Sequence, residues 1–179
     1  FKKFTPLASI SKEIANQTIT LNSAGKTFNI AGLNSAYAIS KNQKILDKFK
    51  KIAQKREIQS INFFGYVATK AAYDDGALFV EKLKKYLLSN IEFTKNYLKK
   101  NNSKIDFKPP EATYLLWLDF SRYNLSHNEI KNILLTKSKI ALNDGVSFGN
   151  NGNGYFRLNL ALSQNSLEIA LSQLSKEFL

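Results

Sequence analysis

The chain has 179 residues, of which 44% are hydrophobic and 12% aromatic, and it carries a formal net charge of +12. It contains no cysteine and one histidine, which excludes disulfides, a cysteine nucleophile and Cys/His metal clusters, so no metal site is expected. No apolar run approaches the roughly 18 residues of a membrane span and the start has no signal-peptide pattern, so no membrane partner is expected and the cytoplasm is the simplest location.

In chain order, residues 17–23 (QTITLNS) alternate Ile19 and Leu21 with polar neighbours and predict a strand. A short apolar stretch, 36–39, predicts a second. Between them stands Lys26. Gly25-Lys26-Thr27 matches the end of a phosphate-binding loop, G-x-x-x-x-G-K-[ST]. The first glycine position of that pattern is Thr20, whose β-branched side chain resists the positive φ that glycine supplies, and this speaks against the loop. Lys26 instead follows a predicted strand in a small-residue loop, Ser23-Ala24-Gly25, where a side chain is well placed to enter a crevice. A buried lysine readily gives up its proton and becomes a nucleophile suited to Schiff-base chemistry. An exposed loop lysine is the alternative, and position alone does not decide between them.

Residues 42–55 place Ile45, Leu46, Phe49 and Ile52 on one helical face. A second helix is predicted over 62–73, followed by a turn at Asp74-Asp75-Gly76. The strongest helix runs over 77–100, with a stripe from Phe79 through Leu83, Leu87 and Ile91 to Leu98 and a length of roughly 35 Å. A helix this long in a small protein often bridges two lobes. Pro109-Pro110 mark a boundary, and 114–120 (YLLWLDF) reads as a buried strand in which Trp117 is assigned to the core. Ser126 with Glu129 forms a capping box for a further helix. His127, with no partner residue of its kind nearby, reads as surface. Residues 143–154 are glycine-rich and loop-like. Residues 155–162 (YFRLNLAL) alternate and predict a strand, and 166–179 an amphipathic helix. The order is α/β, with a second small α/β unit after residue 104.

Arg157 lies between Phe156 and Leu158 in that last strand. An unpaired guanidinium in apolar surroundings is costly, and its fork fits a carboxylate through two parallel hydrogen bonds. Strand alternation alone also allows an outward-facing residue. The lysines recur at helical spacings and read as solvated faces, but arginine is confined to Arg56, Arg122 and Arg157, so nucleic-acid binding is the weaker alternative. The sequence contains no methionine, and Phe1 reads as a cut inside a longer protein.

SAGKTFNIAGLNSAYAI, NFFGYVATKAAYDDG, YLLSN, YLLWLDF and ALNDGVSFGNNGNGYFRLNLA, in this order, resemble the pyridoxal-phosphate (PLP) enzymes of fold type I, the aminotransferase class I/II superfamily. The nearer resemblance is to the cystathionine β-lyase-like branch, the MalY/PatB C–S lyases. It covers essentially the whole chain. It implies the end of a PLP-binding large domain (1–76), a long linking helix (77–104) and a small C-terminal domain (105–179). It also implies that Lys26 joins the cofactor aldehyde and serves as catalytic base, that Ser23 bonds the cofactor phosphate, and that Arg157 binds the substrate α-carboxylate. The implied reaction is β-elimination of an amino-acid thioether to thiol, pyruvate and ammonia, by a homodimer. An aminotransferase on the same scaffold is the alternative, and a non-catalytic basic binding fragment a second one. Asn34 stands where many relatives carry a phosphate-binding arginine, and it is given no role. The acidic, aromatic and glycine-containing cofactor groups of the family lie upstream of its lysine, so this piece alone is expected to bind PLP poorly and show no turnover.

Overall fold

The computed structural model describes residues 3–58, 62–101 and 103–178. They form two compact units, Lys3–Leu83 and Lys84–Leu179, which divide within one helix. The architecture is α/β, mixing helices with two small sheets.

In the first unit, α1 (Lys12–Gln17) begins at Ser11, whose hydroxyl accepts from the Ile14 amide. It takes up Gln17, so the strand predicted over 17–23 contracts to β1 (Thr20–Asn22). Thr18 ends the helix by donating its hydroxyl to the Ile14 carbonyl. β1 pairs antiparallel with β2 (Tyr37–Ile39), Thr20 opposite Ile39. Asn42 caps α2 (Gln43–Lys55), on which Ala53 alone is buried. Ile52 and Phe49 of its predicted apolar face are exposed. α3 (Phe63–Asp75) is capped by Asn62 and runs two residues further than predicted. Asp74-Asp75-Gly76 is therefore a helix end rather than a free turn, and Gly76 alone joins α3 to α4 (Ala77–Lys100). A Cβ on Gly76 would lie 2.3 Å from the Phe28 ring and 2.3 Å from the Ala72 carbonyl, so glycine is what lets Phe28 dock there.

In the second unit, β3 (Leu115–Asp119), β4 (Asn143–Asp144) and β5 (Tyr155–Asn159) form an antiparallel sheet in the order β3-β5-β4. Alternation sends Leu116, Leu118, Phe156 and Leu158 into the core. There they meet α5 (His127–Thr136) and α6 (Gln164–Glu177) through Ile130, Leu134, Leu167 and Leu171. The other sheet face carries Trp117, Asp119, Tyr155 and Arg157. Trp117 is thus half-buried on this open face and not a core residue, because its neighbours Leu116 and Leu118 take the inward positions. The capping box of Ser126 and Glu129 forms as predicted. β4 lies within the stretch read as loop; its two residues are too short to show a period. No helix among the described residues is long and apolar enough to cross a membrane.

The predicted stripe of α4 includes two polar residues that periodicity of apolar side chains does not reveal. Asn90, 0% exposed, donates to the carbonyls of Leu160 (2.9 Å) and Leu162 (3.1 Å), and Thr94 donates to the Asn90 carbonyl. The amide satisfies the chain leaving β5 where no strand pairs with it. Asn90→Ala strands the buried Leu160 carbonyl and leaves the part-buried Leu162 carbonyl to the Tyr86 hydroxyl at 3.4 Å, and is expected to cost about 1–3 kcal/mol, read as a lowered denaturation midpoint.

Candidate functional site

β1 delivers the chain to a tight turn. The Phe28 amide donates to the Ala24 carbonyl (3.0 Å) and the Ile30 amide to the Gly25 carbonyl (2.9 Å), with Asn29 at φ 56°. Ala24 and Gly25 are buried under this turn, and Lys26 projects from its outer side. The amine is exposed and makes no hydrogen bond or ion pair with a described residue. Within this chain, then, the lysine is not sunk in a crevice: the two small residues before it take the buried positions. Phe28 fixes the turn from behind, edge-on to Tyr73 (5.7 Å between centroids) and stacked near Phe79 (6.4 Å). The Tyr73 and Tyr37 hydroxyls share a hydrogen bond of 2.6 Å, which, with some burial, pushes the Tyr73 phenol up to about 12.

Ser23 shares the loop with Lys26. Its hydroxyl donates to the Ser35 carbonyl (2.6 Å) and accepts from the Gly25 amide (3.0 Å). Its single proton therefore closes the loop from residue 23 to residue 35. The Ser35 hydroxyl in turn accepts from Thr69 of α3 at 2.9 Å. Asn34 is left-handed at φ 48° and ends a short 3₁₀ turn, Ala31–Leu33. This is a backbone task to which asparagine is suited.

Arg157 belongs to the second unit, on the open sheet face. Asn143 of β4 is its cross-strand partner, and the Asn143 side-chain oxygen accepts from Arg157 Nη2 at 3.1 Å. The guanidinium carbon sits 4.6 Å from the centroid of the Phe148 ring. Trp117 lies opposite Arg157 on β3, edge-on to Phe148 (5.6 Å) and stacked on Tyr155 (5.9 Å). Arg157 Nε is buried and has no hydrogen-bond partner among the described residues. An aromatic-walled cation with spare donors suits a carboxylate.

His127 is not a surface residue. Its side chain is 10% exposed and its ring stacks on Phe156 at 4.6 Å. The Gly154 amide donates to Nδ1 (3.0 Å), so Nε2 carries the proton given to Asp144 (2.8 Å). Lys131 binds the other Asp144 oxygen at 2.9 Å. The ring thus ties the start of α5 to both ends of the glycine-rich stretch, a role its position in a first helical turn does not reveal. Lys131 first, then the Val146 amide and His127, hold the Asp144 carboxyl at about 2, below the usual carboxylate range. A depressed folded value stabilises the fold above the unfolded value near 4 and the gain disappears as pH falls through about 2. The stability advantage of wild type over Asp144→Ala, on the order of 1 kcal/mol after solvent screening, is expected to fade between about pH 4 and 2 in acid titrations.

The sequence pattern of the aminotransferase class I and II family matches residues 2–174, and the chain belongs to that family. It is 34% identical over 172 residues to cystathionine beta-lyase PatB of Bacillus subtilis, covering 96% of this chain and 44% of the relative. Among solved structures, a PLP-bound protein of Clostridium difficile 630 is 44% identical with a TM-score of 0.93, over 97% of this chain and 45% of that one. Cystalysin of Treponema denticola, which contains a pyridoxal 5'-phosphate cofactor, is 29% identical with a TM-score of 0.90, over 98% and 45%. The chain therefore spans less than half the length of these relatives.

Proposed function

We propose that the whole protein is a PLP-dependent C–S β-lyase that cleaves cystathionine or a related cysteine thioether to thiol, pyruvate and ammonia. The observation that carries this reading is Lys26: an unengaged amine on a turn braced from behind by Phe28, in a chain similar to a cystathionine β-lyase. These residues fit the cofactor. Lys26 Nζ has no partner among the described residues and is open to an aldehyde, and the Ser23 hydroxyl would be available to a phosphate if it left the Ser35 carbonyl. When bound, the cofactor supplies the sink for the electron pair left as the Cα–H bond breaks.

With the cofactor and substrate bound, Lys26 would take the Cα proton as general base. Arg157 holds the α-carboxylate through its spare N–H groups and so fixes which Cα bond is presented for cleavage. Residues 1–76 then complete a large cofactor-binding domain, 77–104 link it to a small domain, and 105–179 form that domain. Exposed Phe63, Phe64 and Leu78 on α3 and α4 support further protein surface covering the first unit in the whole enzyme. A cytoplasmic homodimer is part of the same proposal and is carried by the resemblance. An aminotransferase needs the same lysine and arginine. Pyruvate and thiol released from cystathionine by the full-length protein, with PLP and no keto acid, are the expected result; turnover only when a keto acid is added would assign the transaminase instead.

A further inference from the structure

We propose that Asn143 and Phe148 are positioning residues for Arg157, fixing the orientation of its guanidinium for an incoming carboxylate. The inference rests on the role given to Arg157 above. β4 is two residues long, and its register sets Asn143 directly against Arg157. The Asn143 oxygen takes one N–H of Nη2 at 3.1 Å, and the Phe148 ring lies 4.6 Å from the guanidinium carbon. One edge and one face of the cation are thereby fixed, while Nε is buried with no partner among the described residues.

The choice of an amide matters. A neutral acceptor orients the guanidinium without cancelling its charge, whereas a carboxylate at 143 would pair with it and compete with the substrate. The neighbouring carboxylate, Asp144, is turned away and held by His127, Lys131 and the Val146 amide. Among the described residues no carboxylate forms an ion pair with Arg157. Gly145 and Gly152 approach so closely that a Cβ on Gly152 would lie 1.9 Å from the Gly145 carbonyl oxygen, so the segment between them, which carries Phe148, folds back on itself. Phe148 remains 54% exposed, and an aromatic ring so open to solvent is explained by what it covers.

The test compares steady-state KM and kcat of the full-length PLP-loaded enzyme on cystathionine with its thermal midpoint. Asn143→Asp is expected to raise KM about 10-fold or more, with a smaller change in kcat and no drop in midpoint, because the substrate must displace an internal carboxylate. Asn143→Ala is expected to raise KM only about 3-fold. Phe148→Leu, which keeps the bulk and loses the ring face, is expected to raise it about 2- to 5-fold and carries the test if Asn143→Asp does not fold. A KM within twofold of wild type for Asn143→Asp or, failing that protein, for Phe148→Leu overturns the inference. So do equal KM increases for the Asp and Ala variants accompanied by equal losses in midpoint. Arg157→Ala separates the two levels: if it raises KM while Asn143→Asp does not, the positioning role alone falls; if it leaves KM unchanged, the carboxylate role of Arg157 falls with it.

Discussion

Lys26→Ala is expected to reduce turnover of the full-length enzyme by about 10³-fold or more while leaving the thermal midpoint of the cofactor-free protein unchanged. The two halves of this expectation have separate causes. The turn is built by backbone bonds from Phe28 and Ile30 and by the Phe28 ring against Tyr73 and Phe79, and the lysine side chain takes no part in it. Removing the side chain therefore costs little stability. It removes the only amine on that turn, and with it, in the function proposed above, both the covalent hold on the cofactor and the base for the Cα proton. Lys26→Arg sharpens the point. Arginine keeps the charge and reach, but its guanidinium stays protonated and is a poor nucleophile. It is expected to be as inactive as alanine. Pyruvate formation rates for the three proteins at matched PLP concentration check this.

Arg157→Ala is expected to weaken binding of the amino-acid substrate by ~10- to 150-fold, since a charge-assisted contact is worth roughly 1.5–3 kcal/mol. The loss should appear mainly in KM. Arg157→Lys keeps a cation but not the fork, nor the flat face that rests against Phe148, and is expected to fall between wild type and alanine. A thioether amine lacking the carboxylate provides the control: wild type and Arg157→Ala should process it equally poorly. KM values for the acid and the decarboxylated analogue in both proteins decide the matter.

Much of the architecture was legible because long periodic segments announce themselves. The 77–100 helix was found with its observed ends, and the capping box at Ser126 and Glu129 located the start of α5 to the residue. The strand carrying Arg157 followed from the alternation of Phe156, Leu158 and Leu160, all buried. What escaped was polar or very short. Asn90 and Thr94 sit at core positions of α4, Asn90 bonding carbonyls across the unit and Thr94 the Asn90 carbonyl one turn back, which no apolar count detects. β4 has two residues, and its significance lies in its partner, not in its own pattern. His127 was misread because its partners Asp144 and Gly154 are 17 and 27 residues away in the chain. Trp117 was misplaced by its hydrophobicity, although alternation with Leu116 and Leu118 already pointed it outward. Lys26 and Arg157 stand out by their surroundings in the sequence, and Ser23 by the family resemblance alone. Asn143 and Phe148 lay inside a motif already noticed, yet only the sheet register and ring geometry bring them to Arg157.

The most direct measurement is borohydride reduction of the full-length protein after incubation with PLP, followed by peptide mass analysis. The account predicts a single reduced phosphopyridoxyl adduct on the peptide containing Lys26, and none in Lys26→Ala. An adduct confined to another lysine, or full lyase activity in Lys26→Ala, would contradict it.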